Sequence, residues 1–277
     1  MLLALRGPAV GSTADIAAIP KSAIFADRAL GSFRSSWLER NATWLAFKGC
    51  RGHYGHNDLD GGTFVLEMGG VRWAVDLGAD SYGLKGYWTQ ASNPGARYSF
   101  YRKSTRGHNT LTFDGNDADP GPSNQAIEAM TNISDFDSEK RTAVVNLTDA
   151  YAGNVMSATR GFVPSADYTQ LVVSDRITPA ATTSSAAVTL TWSMHTYANI
   201  TIDADGRGAT LAQKGRRLRA MLGASTGAGR FTALDLNITS LPSNQTTTFD
   251  KSPGLRKLMF DTATIADVEV TLQLQPL

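Results

Sequence analysis

The feature that most constrains this chain is a strand-and-turn punctuation that begins at Gly31. Runs such as Phe33–Trp37, Thr43–Lys48, Gly62–Met68, Val71–Asp76 and Thr110–Phe113 are short, rich in Val, Phe, Trp and Thr, and bounded by Gly, Asn or Asp. Branched and aromatic side chains suit a pleated surface, and the bounding residues suit turns. In TFVLEMGGVRWAVDLG, Gly69-Gly70 separates two alternating runs and supplies the positive φ angles that a two-residue hairpin turn demands. Further strands are predicted at Thr142–Leu147, Arg160–Pro164, Gln170–Arg176, Ala187–His195, Asn199–Asp203, Ala209–Lys214, Arg217–Gly223, Leu258–Thr262 and Val268–Gln275. Many short strands with mostly short connections imply an all-β fold, a large antiparallel β-sandwich of stacked sheets. Residues 1–30 contain Ala and Pro with a weak helical pattern over Ala23–Ala29. They read as a linker or the tail of a preceding domain, and residues 31–277 as one sandwich domain.

Composition narrows the function classes. With 42% hydrophobic residues in 277, the chain has enough material for a core. Its 26 basic and 25 acidic residues are spread along the sequence for a net charge of +1. That balance argues against a surface built to coat nucleic acid, so an anionic ligand has to be held locally. A lone Cys50 excludes an internal disulfide framework and reads as a buried thiol. The start MLLALRGPAV is too short in apolar residues for a signal peptide, and no apolar run is long enough to span a membrane. N-x-Ser/Thr sequons stand at Asn41, Asn132, Asn146, Asn199, Asn237 and Asn244. They suggest either a longer secreted or periplasmic product or simply the Thr-rich composition of a β protein.

The densest polar cluster is HYGHNDLDGG, with His53, His56, Asn57, Asp58 and Asp60 just ahead of a strand. If the run is extended, His56, Asp58 and Asp60 share one face by the period-two rule. Asp76 in WAVDLG is an acid where an apolar run would otherwise continue, a costly position unless paired or metal-bound. His108 in RKSTRGHNTLTF again precedes a strand. Asp58, Asp76 and His108 are a mixed oxygen and nitrogen set suited to zinc or a similar divalent ion, the alternative being turn-capping residues. The stretch from Tyr82 to Arg106, with Tyr82, Tyr87, Trp88, Arg102 and Arg106, breaks the alternation, and a long irregular loop of this kind often carries function.

The runs GHNDLDGGTFVLEMGGVRWAVDLGADSY, YWTQ, YSFYRKSTRGHNTLTFDG, RGF, LVVSDRI and LTWSMHT, in that order, resemble the C-terminal domain of the heparinase II/III-like polysaccharide lyases. The resemblance spans roughly residues 31–200 and implies a β-sandwich that works beside an N-terminal (α/α) toroid, with the substrate between the two. This chain has no helical region large enough for a toroid, so the resemblance implies a longer product or a partner in trans. In that family the strand-entry motif is His-x-His-x-Asp. Counting back from Phe64 aligns its catalytic histidine with His56, its second His with Asp58 and its Asp with Asp60. The family's metal site, where present, then falls on Asp58, Asp76 and His108, with a carboxylate at Asp58 in place of an imidazole.

The activity implied is β-elimination from a uronic-acid-containing acidic polysaccharide. It requires a neutralised carboxylate, a base for the C5 proton and an acid for the departing O4. His56 is the expected base or neutraliser, with Tyr87, ahead of Tyr82, as the loop tyrosine approaching the sugar. Arg102 and Arg106 either hold the substrate carboxylate or brace the loop against an Asp. Asn109 is a donor to substrate or a turn former, and Trp88 stacks on a sugar ring or packs locally. His53 flanks the site or is a surface histidine, His195 reads as a hydrogen-bonded core residue, and Trp73 and Trp192 read as core. The run KGRRLR over Lys214–Arg219 reads as a solvated hairpin face or an outlying polyanion contact. A non-catalytic carbohydrate-binding or structural sandwich is the competing reading.

Overall fold

The computed structural model describes residues 13–50, 56–89, 96–113, 124–180, 189–224, 226, 229–236, 252–262 and 267–276. Its first sheet runs in chain order: β1 (Ser22–Phe25), β2 (Leu30–Arg34), β3 (Trp44–Lys48), β4 (Phe64–Met68) and β5 (Val71–Ala74), every neighbouring pair antiparallel. The β4–β5 hairpin turns on Gly69 (φ 61°) and Gly70 (φ 78°), as the Gly-Gly pair demands. The chain then passes through β6 (Leu111–Phe113), β7 (Asn132–Asp137), β8 (Thr142–Asn146), β9 (Val155–Pro164), β10 (Gln170–Pro179) and β11 (Leu190–Thr196). It ends with β12 (Asn199–Ile202), β13 (Gly208–Gln213), β14 (Arg216–Leu222), β15 (Arg230–Asp235), β16 (Arg256–Thr262) and β17 (Val268–Leu274). An eight-stranded sheet has the order β12-β13-β14-β17-β10-β9-β8-β7, and a four-stranded sheet the order β15-β16-β11-β6.

Alternation sets the faces. In β8, β10 and β17 every second residue is buried, as expected where one face packs on a core and the other meets water. All three sheets contribute to one apolar core. Phe64 of the first sheet lies 5.8 Å from Phe162 of the eight-stranded sheet and 6.4 Å from Trp192 of the four-stranded sheet, ring centre to ring centre. Trp73 and Trp192 are both fully buried, and β11 is buried along its whole length between β16 and β6. The protein is thus an all-β sandwich of antiparallel sheets.

Two local expectations change. The Ala23–Ala29 segment is not helical: Ser22–Phe25 pairs with β2 in the register Ser22↔Phe33, and Ala26–Arg28 is a single 3-10 turn. Edge pairing outweighs a weak helical pattern here, and it carries the first sheet back ahead of Gly31. The His56–Asp60 run is turn and loop rather than extended, so period-two alternation does not govern its side chains. Lys214 and Gly215 turn the β13–β14 hairpin, and Arg219 of KGRRLR pairs with Asp203. Cys50 is buried, and burial pushes its thiol up to about 11, so it is protonated at neutral pH. Among the described residues no helix is long and apolar enough to cross a membrane.

Candidate functional site

One side chain joins the three segments that form the site. Asn109, fully buried just ahead of β6, donates from Nδ2 to the carbonyls of Phe64 (2.8 Å) and Val75 (2.9 Å). Its Oδ1 accepts the backbone N–H of His195 at 2.6 Å. The next residue, Thr110, donates to the Gly61 carbonyl at 2.6 Å. Two of the three side chains of the His-Asn-Thr run are therefore clamps, and the clamping aims the third, His108, at Asp76, with Nδ1 to Oδ2 at 3.3 Å. Gly107 ahead of it has no room for a Cβ, which would fall on the Tyr101 carbonyl. Arg160 adds a tie from the opposite sheet: its Nη1 donates to Gly62 (2.9 Å) and Asn109 (2.8 Å) carbonyls, while Nε and Nη2 grip Asp175 at 2.7 and 2.9 Å.

These clamps gather charge. Asp58, Asp60 and His108 each offer a ligand atom, and the three atoms lie within 4.8 Å of one another. Asp58, Asp60 and Asp76 also line a cavity of about 280 Å³ together with Lys48. Lys48 lies 2.8 Å from Asp60, and Lys103 lies 2.5 Å from Asp58. Burial opposes a charge on His108, but the Asp76 hydrogen bond and the Asp60, Asp76 and Asp58 carboxylates outweigh it and raise its pKa. Burial likewise works against Asp76, yet His108 and the Gly78 N–H hold its carboxyl well below the usual range. Asp58 is raised, by burial first, with His108 and Lys103 opposing.

The expected trio of Asp58, Asp76 and His108 is thus rearranged: Asp60 joins Asp58 and His108, and Asp76 meets the group as the hydrogen-bond partner of the imidazole. A carboxylate on one ring nitrogen fixes the tautomer that leaves the other free to ligate. His108 Nε2 and Asp60 Oδ1 are both buried with no hydrogen-bond partner. Orphaned atoms of this kind, each costing about 1–3 kcal/mol, mark a place for an ion or a water. The residues present therefore fit a metal. Reading the sequence alone misses Lys48 and Lys103. The signal for Lys48 was the β3–β4 register, since Phe47 pairs with Phe64 and brings the next residue beside the loop that leads into β4.

His56 is not part of this group of ligand atoms. Its ring stands edge-on to Trp88 at 5.1 Å and lies 6.0 Å from Tyr82. Trp88 and Tyr82 are 45% and 53% exposed, whereas Tyr87 is 0% exposed. The Tyr87 hydroxyl accepts the Asp80 N–H at 3.2 Å, and its ring lies under Arg97 at 5.1 Å. Of the two candidate tyrosines, Tyr82 is the one whose ring faces solvent beside His56. His53 lies outside the described residues.

The remaining loop candidates face inward. The chain from Ala96 to Gly107 is a series of 3-10 turns. Buried Arg102 donates to the Leu77 carbonyl and, at 2.8 Å, to Ser252, with Asp80 at 4.0 Å. Arg106 is buried with its guanidinium 5.5 Å from the Tyr101 ring centre. Asn109 has every side-chain polar atom engaged internally, as above. In this geometry the three act as braces for the loop rather than as groups presented to a substrate.

His195 sits behind the cluster, fully buried, with Nε2 2.7 Å from the Tyr101 hydroxyl and Nδ1 3.1 Å from Asn109 Oδ1. Burial, and then the Lys257 and His108 charges, hold its pKa well below the ordinary value. The unfolded chain protonates it near pH 6.5 while the native state does not. Its contribution is therefore whole above about pH 6.5 and lost as pH falls below that, by about 1.4 kcal/mol per pH unit. Denaturant titrations of the wild type and His195→Gln at pH 7.5 and 5.5 isolate the term. The stability gap between the two proteins is expected to shrink by about 1 kcal/mol at the lower pH, and a gap independent of pH would refute it.

A sequence profile described as heparinase II/III-like, C-terminal, matches residues 25–254. No curated protein matches the chain. Among solved structures, the heparan sulfate lyase HepC from Pedobacter heparinus is similar over 91% of this chain and 36% of its own, at 17% identity and a TM-score of 0.66. A heparinase III structure is similar over 93% of this chain and 37% of its own, at 16% identity and a TM-score of 0.66. The chain thus spans little more than a third of the length of these proteins, and at such identity the likeness speaks to the fold. The profile covers most of the chain, and the fold agrees with it: the chain belongs to the heparinase II/III-like family, by its C-terminal domain.

Proposed function

We propose that this sandwich is the C-terminal half of a polysaccharide lyase that cleaves a uronic-acid-containing acidic polysaccharide by β-elimination. The observation that carries this reading is the exposed imidazole of His56 set against the exposed rings of Tyr82 and Trp88. That arrangement offers an imidazole able to take or give a proton, a phenol and a stacking surface at one place. His56 takes the C5 proton or neutralises the uronate carboxylate, Tyr82 exchanges a proton at the sugar, and Trp88 supports the ring. Tyr87 holds the Asp80 loop in place beneath them. The (α/α) toroid, upstream in the product or in trans, closes the other side of the cleft. The structural relatives, which extend well beyond the matched region, support that arrangement.

Asp58, Asp60 and His108 would hold a divalent ion, and zinc suits a nitrogen and two carboxylate oxygens. Bound there, the ion supplies fixed positive charge that ties the loop before β4 to the segment before β6. Asp76 orients the imidazole. Metal analysis and thermal melting of the purified protein test this: His108→Ala is expected to lose the ion and the melting increment that EDTA removes from the wild type. Equal metal content in the variant would sink the site.

Elimination creates an unsaturated uronate that absorbs in the ultraviolet, so the assay is direct. The chain supplied with its toroid is expected to raise ultraviolet absorbance on at least one of heparan, alginate, chondroitin or ulvan-like polysaccharides. Silence on all four overturns the lyase reading, and binding without turnover would favour a carbohydrate-binding module.

A further inference from the structure

A second cavity, of about 440 Å³, lies at the other end of the first sheet. It is lined by Lys21 and Ser22 at the start of β1, Ser35 after β2, Ser138 and Arg141 in the β7–β8 turn, and Tyr168 in the β9–β10 turn. Leu30, at the opposite end of β2, lines the cavity that holds Asp58 and Asp60. At about 3.3 Å per residue, the five steps along the chain from Leu30 to Ser35 separate the two cavities by roughly 16 Å.

Three observations make this cavity more than a surface dip. The first is strain. Arg141 (φ 57°) and Tyr168 (φ 56°) are two of four non-glycine residues in the left-handed region among those described. Glycine or asparagine is the ordinary choice there, and bulky side chains in that conformation tend to gather at functional sites. Both side chains turn into the same cavity, with the guanidinium 5.8 Å from the phenol ring centre.

The second observation is uncompensated positive charge. Arg141 Nε is buried with no hydrogen-bond partner, and its Nη1 reaches only the Glu139 carbonyl at 3.4 Å. Among the described residues neither Lys21 nor Arg141 pairs with a carboxylate, although acids are close in sequence. Asp137 is taken by Lys140 at 3.0 Å and by the Glu139 and Lys140 N–H groups. Asp167 is taken by Ser165 and Thr169. The third is the size and chemistry of the lining. Its volume is that of a small-molecule site rather than of a bare anion, and hydroxyls surround the two cations.

We propose that this cavity is a second saccharide site that holds one acidic sugar residue. Lys21 and Arg141 take its carboxylate or sulfate, and the serine hydroxyls with the Tyr168 phenol meet its ring oxygens. A guanidinium meets either anion through paired N–H donors. A chain bound here is anchored away from His56, so the site adds hold on a polymer without taking part in cleavage. The acidic-sugar class rests on the proposed function, whereas binding at this cavity is read separately from cleavage at His56.

Calorimetric titration tests it in a His56→Ala/Trp88→Ala background, which silences the first site if that site binds sugar and changes nothing if it does not. The probes are a sulfated uronate tetrasaccharide, its unsulfated counterpart, a neutral tetrasaccharide and inorganic sulfate. At least one acidic tetrasaccharide is expected to bind ten times or more tighter than the neutral one and than inorganic sulfate. Arg141→Gly is expected to weaken that binding at least tenfold while melting no lower than its parent, because glycine relaxes the left-handed turn. Should that variant melt lower, exposed Lys21→Gln reads the same site, with at least a threefold loss. Equal affinity for the neutral sugar, sulfate binding as tight as the saccharide, or unchanged binding in both variants would each overturn the proposal.

Discussion

Replacing Asp175 with alanine is expected to destabilise the protein by about 3–5 kcal/mol, seen in chemical denaturation as a lower midpoint at unchanged slope. Arg160 and Asp175 face each other across β9 and β10, and neither side chain is exposed. Removing the carboxylate leaves a guanidinium in the core, and arginine cannot shed its proton to escape. The reverse change is milder in its electrostatics. Arg160→Met strands Asp175, whose pKa burial already raises, so it can bind a proton and become neutral. Asp175→Asn, which keeps an acceptor for the guanidinium, should fall between wild type and Asp175→Ala. Because Arg160 also holds the Gly62 and Asn109 carbonyls, the damage should reach the site. The ion proposed for Asp58, Asp60 and His108, if the protein retains one, should be lost along with stability. A cost below about 1 kcal/mol would mean that the pair behaves like a surface ion pair and carries none of this load.

Most of the sandwich is legible in the sequence because period-two burial leaves a readable trace. The β4–β5 hairpin, with Gly69-Gly70 between alternating runs, is the clearest case. β10 and β17 read correctly for the same reason, as one face of each is apolar. The strands that escape reading lack that trace. β7 (NISDFD) has no fully buried residue, β15 (RFTALD) has one, and β1 (SAIF) has none. All three are edge strands whose pairing comes from a neighbour rather than from their own pattern.

The site shows the same division. Asp76 and His108 stand out because each is a charged or polar interruption beside an apolar run, and they do meet. Arg102, Arg106, Asn109 and Tyr87 look equally like substrate ligands, yet they are buried. Irregular backbone turned into a protein interior has carbonyls that no strand partner satisfies, so side chains must do it. Arg97 donates to the Asn57 and Tyr87 carbonyls, Arg102 to Leu77, Lys257 to Arg106, and Asn109 to Phe64 and Val75. A loop rich in arginine and tyrosine is thus ambiguous from sequence. The same residues that could grip a polyanion are those that let a loop fold inward, and only the direction of burial separates the two.

That direction makes His56→Ala the sharpest functional test. With the toroid partner present, the substitution is expected to reduce kcat/KM by about 10²–10⁴-fold while leaving the melting temperature unchanged. His56 is exposed and touches the rest of the molecule through Tyr82 and Trp88 only among the aromatic contacts described. The pairing of these two outcomes distinguishes a group acting on the sugar from the clamps behind it. Loss of Asn109 or Asp175 would lower activity and stability together. Two companions divide the roles around the imidazole. Trp88→Ala should act mainly through KM, because a stacking surface binds the bound ring and the reacting ring alike, whereas Tyr82→Phe should act mainly through kcat if its phenol exchanges a proton. A base also leaves a kinetic mark: added imidazole, small enough to enter the space the side chain vacates, should restore part of the rate to His56→Ala. If imidazole restores nothing and the rate falls less than tenfold, the base lies elsewhere in the assembled cleft and His56 is only a wall of it.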